Sequence, residues 1–140
     1  MAVAASCAIP GFFAPVEIDG VRYVDGGAHS PTNADVVAGL GLDLVVVSSP
    51  MSAAGRGIRV AADVAVRRYS RTLLDAEAVR VRRSGTPVIA FQPTADDQRV
   101  MGLNAMDPSR RAAVARAARE STLRRLERPD VQRRLAPLAL

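Results

Sequence analysis

The chain has 140 residues, 49% of them apolar and 24% charged, with a formal net charge of +5 and a single cysteine. Length and composition fit one globular core or part of one, and a lone cysteine excludes an internal disulfide framework. No apolar run approaches the ~18 residues of a membrane span, and no basic stretch followed by a long apolar one marks a secretion signal.

All nineteen basic residues are arginine. The first fifty residues hold five acids (Glu17, Asp19, Asp25, Asp35 and Asp43) against Arg22, a net of −4, and the remainder holds eighteen arginines against nine acids, a net of +9. The basic excess reads as the solvated face of helices, with attraction to an anionic surface as the functional alternative.

Ala2 to Ala8 reads as a short helix with no capping residue before it, so the chain is expected to begin inside an element; Pro10 and Gly11 stop this helix. Val16-Glu17-Ile18 alternates, Asp19-Gly20 is a hairpin turn signal and Val21 to Val24 returns, which predicts a β-hairpin with a half-buried second arm. That arm delivers Asp25-Gly26-Gly27. Paired glycines permit φ > 0, and a carboxylate at a strand end lies where open α/β sheets keep their chemistry; the plain alternative is a turn dipeptide. Asn33 is expected to cap a helix over Ala34 to Ala38 with Asp35 in its first turn, ended by Gly39 and Gly41. Leu42 to Val47 then reads as a buried parallel strand ending at Ser48-Ser49-Pro50.

Met51 to Gly57 has the composition of a loop. From about Ile58 to Arg83 the pattern is helical, with Ala61, Ala65, Tyr69, Leu73 and Ala76 as the packing stripe and Asp63–Arg67 as an i,i+4 pair. Ser84 to Pro87 closes the helix and opens a second apolar strand, Val88 to Phe91. Strand, helix, strand implies an α/β fold with a right-handed crossover in a largely parallel sheet flanked by helices. Gln92 to Asp107 is expected to be mostly irregular, with Met101 to Asn104 laid over the core. Asp107-Pro108 starts a helix running to about Glu127, in which Ala113, Ala117 and Leu123 or Leu126 pack; Pro129 ends it and leaves a fraying tail.

Three segments, Ala4-Ala5-Ser6-Cys7-Ala8-Ile9-Pro10-Gly11-Phe12-Phe13, Pro15-Val16-Glu17-Ile18 and Tyr23-Val24-Asp25-Gly26-Gly27, resemble the C-terminal half of the patatin-like phospholipases, which are serine acyl hydrolases. The resemblance is strong from Ala2 to Pro50 and weaker through the Pro87 strand and the Asp107 helix. It implies that residues 1–140 form the C-terminal part of one patatin-like domain with a partial three-layer fold. It also implies hydrolysis of lipid acyl esters by a serine–aspartate dyad without histidine, Asp25 being the dyad carboxylate and Gly26 and Gly27 its turn. In that family the serine lies in a Gly-x-Ser-x-Gly elbow, and the oxyanion hole in a glycine-rich loop, both N-terminal to this region. The ten glycines here include no two that are four apart, so these residues hold no such elbow. The chain therefore reads as half of an active site, inactive alone and free of cofactor and metal. Its expected partners are a lipid or acyl ester substrate, an N-terminal half or a second copy, and a membrane surface contacted peripherally. Its expected place is the cytoplasm or that surface.

A serine hydroxyl is a poor nucleophile until a base takes its proton, and a strand-end carboxylate flanked by glycines lets the serine turn approach closely. His29, four residues on, permits a Ser-His-Asp arrangement but reads as an exposed turn residue. Cys7 reads as a packed apolar residue, and no second cysteine or histidine is available for a metal. Ser48 and Ser49 end a strand, where hydroxyls cap and turn more often than they react. Phe12, Phe13 and Met51 are candidates to line an acyl pocket, against ordinary packing. Gly39-Leu40-Gly41 and Gly55-Arg56-Gly57 lack the remaining features of a phosphate loop, and the arginine-rich C-terminal helix lacks interleaved aromatics, which excludes specific nucleic-acid binding. The second class of function is a non-catalytic α/β protein that binds a partner or an anionic membrane surface through its arginines.

Overall fold

In the computed structural model the described residues are 1–52, 61–102, 104 and 107–138, without the side chains of 61–63. The side chains of Asp63, expected to pair with Arg67, and of Ala61 in the helical stripe, together with residues 53–60 and Leu103, lie outside what is described. The chain forms two compact units, Met1–Asn33 and Ala34–Leu140.

The first unit contains helix α1 (Ala2–Ser6) and the antiparallel hairpin of β1 (Val16–Ile18) and β2 (Val21–Tyr23). Asp19 and Gly20 both have positive φ, the signature of a type I′ turn whose twist matches the strands it joins. Only Ala5 and Ala8 of the N-terminal segment are buried. The hairpin's second arm is not half-buried as expected: all three residues of β2 are exposed. A three-residue ribbon with one partner strand has no second layer to cover it.

The second unit is built on a parallel pair, β3 (Val45–Ser48) beside β4 (Val88–Phe91), in the register Val45 to Val88 through Ser48 to Phe91. Helix α2 (Ala61–Arg83) joins them. A strand–helix–strand unit with β-branched strands is what the two apolar runs imply, and the fold is α/β. The core comprises Ala34, Val47, Leu74, Ala78, Val81 and Val88. Burying each of its larger side chains stabilises the unit by roughly 1.5–3 kcal/mol. β3 is less enclosed than its composition implies. It starts at Val45, Val46 is exposed, and only Val47 is buried, since among the described residues β4 is the one strand beside it.

α2 turns a different face inward from the expected stripe. Ala65, Tyr69 and Ala76 are exposed and Leu73 half-buried, whereas Arg67, Ser70, Leu74, Glu77, Ala78 and Val81 are buried. Steps of four residues drift about 40° each around a helix, so the stripe from Ala61 to Leu73 leaves the face it begins on; alternating steps of three and four from Arg67 to Val81 hold one face. The buried polar groups fasten loops to it. Arg67 donates to the Pro50 carbonyl at 2.9 Å, and the Glu77 carboxylate accepts the Ala34 N–H at 2.9 Å. Just past the helix's end, exposed Ser84 accepts the Gly39 N–H on Oγ at 3.1 Å.

Ala34–Val37 is a 3-10 turn and not an α-helix capped by Asn33. Asn33 has positive φ and sends its side chain backwards, to Gly26 and Ser30. Glu77 accepts the N–H of Ala34, the first residue of the turn, and Asp35 pairs with Arg80 at 2.6 Å. The stretch after β4 is also more regular than expected. Helix α3 (Ala95–Met101) opens on a capping box in which Thr94 Oγ1 accepts the Asp97 N–H and Asp97 Oδ2 accepts the Thr94 N–H. Asp107 accepts the Ser109 N–H and hydroxyl, starting a 3-10 turn (Pro108–Arg110) that leads into α4 (Arg111–Leu126). Ala113, Ala117 and Leu126 are half-buried and Leu123 is exposed. Pro129 begins a further helix, α5 (Pro129–Leu135), in place of a fraying tail. Proline suits the first helical position, and Val131 is fully buried.

Candidate functional site

Asp25 follows β2 directly. Its backbone N–H donates to the Ala8 carbonyl at 3.0 Å, tying the strand's end to the end of the α1 segment. Its side chain caps a 3-10 turn, Gly26–Ala28, with Oδ1 accepting the Gly27 N–H at 2.7 Å. Among the described residues Oδ2 accepts no hydrogen bond, and the side chain is half-buried. The carboxylate is thus anchored through one oxygen and open through the other.

The glycines serve this turn differently from expectation. Neither Gly26 nor Gly27 has positive φ. A Cβ on Gly27 would lie 3.0 Å from Asp25 Oδ1, and one on Gly26 would lie 3.4 Å from Asn33 Nδ2. At Gly27 close approach, not a left-handed backbone, is what a side chain would disturb, whereas at Gly26 it would meet little more than ordinary contact.

Two residues support the turn that the sequence reading assigned elsewhere or passed over. Asn33 Nδ2 donates to the Gly26 carbonyl at 3.0 Å and to the Ser30 carbonyl at 2.6 Å. Ser30, almost wholly buried, accepts the N–H groups of Thr32 and Asn33 on Oγ. The available signal was Ser30-Pro31-Thr32-Asn33, a local hydroxyl-to-backbone turn that competes with helix capping.

The other candidates are placed as follows. His29 is exposed at the end of the 3-10 turn, where its backbone N–H donates to the Gly26 carbonyl. Cys7 is exposed, not packed, because α1 ends before it and turns only Ala5 and Ala8 inward. Phe12 and Phe13 are exposed at 82% and 63% after the turn at Gly11, large for aromatic rings. Met51 is exposed, Ser48 is exposed, and Ser49 is buried with its Oγ accepting from the Ser52 hydroxyl. Among the described residues no three His, Cys, Asp or Glu side chains gather as metal ligands, and no helix is long and apolar enough to cross a membrane.

Chemically, this is a strand-end carboxylate with a preset direction and one open oxygen, on an α/β chain. Residues 1–38 match the family model of the patatin-like phospholipases, and Asp25, its glycines and Asn33 all fall inside the match. The similarity runs through α1, the hairpin and the Asp25 turn and stops before β3, so the weaker likeness expected around Pro87 and Asp107 lies outside it. No curated protein and no solved structure matches the chain.

Proposed function

We propose that the chain is the C-terminal portion of a patatin-like serine acyl hydrolase, residues 1–140 belonging to one catalytic domain. Asp25 is the base of a serine–aspartate dyad whose serine and oxyanion hole come from a segment outside these residues. The observation that carries this reading is the Asp25 carboxylate, whose Oδ1 is fixed by the Gly27 N–H while Oδ2 stays open, inside the stretch similar to the family. A base held in this way accepts the serine proton as the hydroxyl attacks an acyl carbonyl and returns it to the leaving alkoxide. Phe12 and Phe13, exposed ahead of the hairpin, are the proposed contacts for the acyl chain. The enzyme acts on lipid acyl esters and meets the membrane peripherally.

Oxyanion donors and nucleophile supply most of the rate of acyl transfer, so a base alone cannot sustain it. The purified chain should hydrolyse short acyl esters no faster than buffer, and joining it to a segment carrying a Gly-x-Ser-x-Gly elbow and its glycine loop should restore turnover. Turnover by the chain alone that a serine-directed phosphonate abolishes would overturn the reading.

A second reading is favoured by α4, which has no buried residue and carries Arg111, Arg116, Arg119 and Arg124 exposed. A non-catalytic protein docking on anionic membranes through these groups would stay inactive in the joined form and sediment with phosphatidylserine vesicles in a salt-sensitive manner.

A further inference from the structure

The second unit contains a cavity of about 490 Å³ at the carboxyl ends of β3 and β4. Ligand pockets of open parallel sheets lie beyond the carboxyl ends of the strands, and this volume is within the ~300–1,000 Å³ that such pockets occupy. Its wall on one side is a single stripe of α4. Val114, Ala118, Ser121 and Arg125 are spaced by four, three and four residues, so they share one face and run about 16 Å along the axis.

That stripe changes character along its length. Val114 and Ala118 join Phe91 and Met101 in an apolar lining, while Arg125 ends the stripe beside Arg128. The two guanidinium groups share one carboxylate. Arg128 Nε donates to Asp130 at 3.0 Å, and Arg125 lies 3.7 Å from the same side chain. Two cations against one anion leave positive charge in excess at that end. Arg71 adds a third guanidinium to the lining, paired to Asp75 at 3.6 Å. Among the described residues of the lining the one acid is Asp97, which is buried and accepts hydrogen bonds from the Thr94 N–H and hydroxyl at 2.8 and 2.7 Å. Along the α4 wall the lining is therefore apolar toward Val114 and Ala118 and cationic toward Arg125 and Arg128, with the capped Asp97 carboxylate one helical turn from Met101.

From this polarity we propose that the cavity binds an amphipathic monoanion, a carboxylate on an apolar chain, with its head on Arg125 and Arg128 and its tail along Val114, Ala118 and Met101. A guanidinium pair suits a carboxylate because it offers parallel N–H donors, and an apolar tail releases water from the rest of the surface. The site is independent of Asp25, which is not among its lining residues, so it stands or falls apart from the hydrolase reading.

Calorimetric titration of the whole chain with dodecanoate, dodecanol and inorganic phosphate tests it. Dodecanoate below its aggregation concentration should bind saturably at one per chain, dodecanol at least about tenfold more weakly, and phosphate not measurably. Arg125→Gln and Arg128→Gln should each weaken dodecanoate at least about fivefold, with far-UV circular dichroism unchanged, and Asp25→Asn should leave it as it is. Equal binding of dodecanol would show an apolar cavity without anion selection, and phosphate binding as well as dodecanoate would show an inorganic anion site; either overturns the proposal. So would unaltered dodecanoate binding in both arginine variants.

Discussion

Glu77 carries the clearest energetic prediction in the second unit. It is 3% exposed, yet its carboxylate reaches across 43 residues of sequence to accept the N–H of Ala34, itself in the core, at 2.9 Å. A hydrogen bond to a charged group is worth about 1.5–3 kcal/mol and a neutral one about 0.5–1.5, so Glu77→Gln, which keeps an acceptor in place, should cost about 1 kcal/mol. Glu77→Met removes the acceptor and strands a buried N–H. Relief from burying a charge acts in the opposite direction, but the stranded donor costs about 1–3 kcal/mol and the loss of Glu77's other interactions adds to it, so a net loss of about 2 kcal/mol is expected. For a unit of this size these figures correspond to falls in Tm of about 4 °C and about 8 °C. Amide exchange at Ala34 should accelerate about thirtyfold in the methionine variant. A methionine variant as stable as wild type, with Ala34 exchange unchanged, would show that this bond does not hold the Ala34 turn to α2.

Two further predictions concern the turns. Gly27→Ala places a methyl 3.0 Å from Asp25 Oδ1, so in the joined enzyme it should lower kcat about tenfold or more while leaving the melting curve of the chain nearly unchanged; unaltered kcat would mean that the carboxylate's direction is not fixed by this turn. Hydrogen bonds from the Ser109 hydroxyl and backbone N–H, helped by Arg110, hold the Asp107 carboxyl below its ordinary range. A depressed folded-state pKa adds stability above the unfolded value and loses it as pH falls through the folded one, so the destabilisation by Asp107→Asn should be full at neutral pH and vanish in strong acid. Thermal melts of both proteins across that acid range check this; a difference that persists undiminished would refute it.

Local chemistry made some parts of the fold legible. Pro87 before an apolar run announces β4, and Asp19-Gly20 between alternating segments announces the hairpin, whose turn has the required positive φ at both positions. The inward face of α2 was not legible from hydropathy, because half of what it buries is polar. Arg67 and Glu77 are buried only because Pro50 and Ala34, distant in sequence, supply partners. α3 was legible in principle, since Thr94 and Asp97 stand at capping-box spacing, but its residues carry little apolar period. Pro129 illustrates that the residue which ends one helix also begins the next well. At the candidate site, Asp25 and its glycines stood out from sequence, while the supports from Ser30 and Asn33 depend on a turn that folds back on itself.

The assignment of Asp25 as base is tested most directly by kcat in the enzyme formed by joining this chain to a serine-bearing N-terminal segment. Asp25→Asn retains an oxygen to accept the Gly27 N–H and so keeps the turn, but it cannot take a proton. It should lower kcat by on the order of a hundredfold to ten-thousandfold with the fold intact, the usual worth of general-base assistance, while His29→Ala changes kcat by less than about twofold. Loss of activity in His29→Ala with Asp25→Asn still active would contradict the dyad and require a histidine-based mechanism in its place.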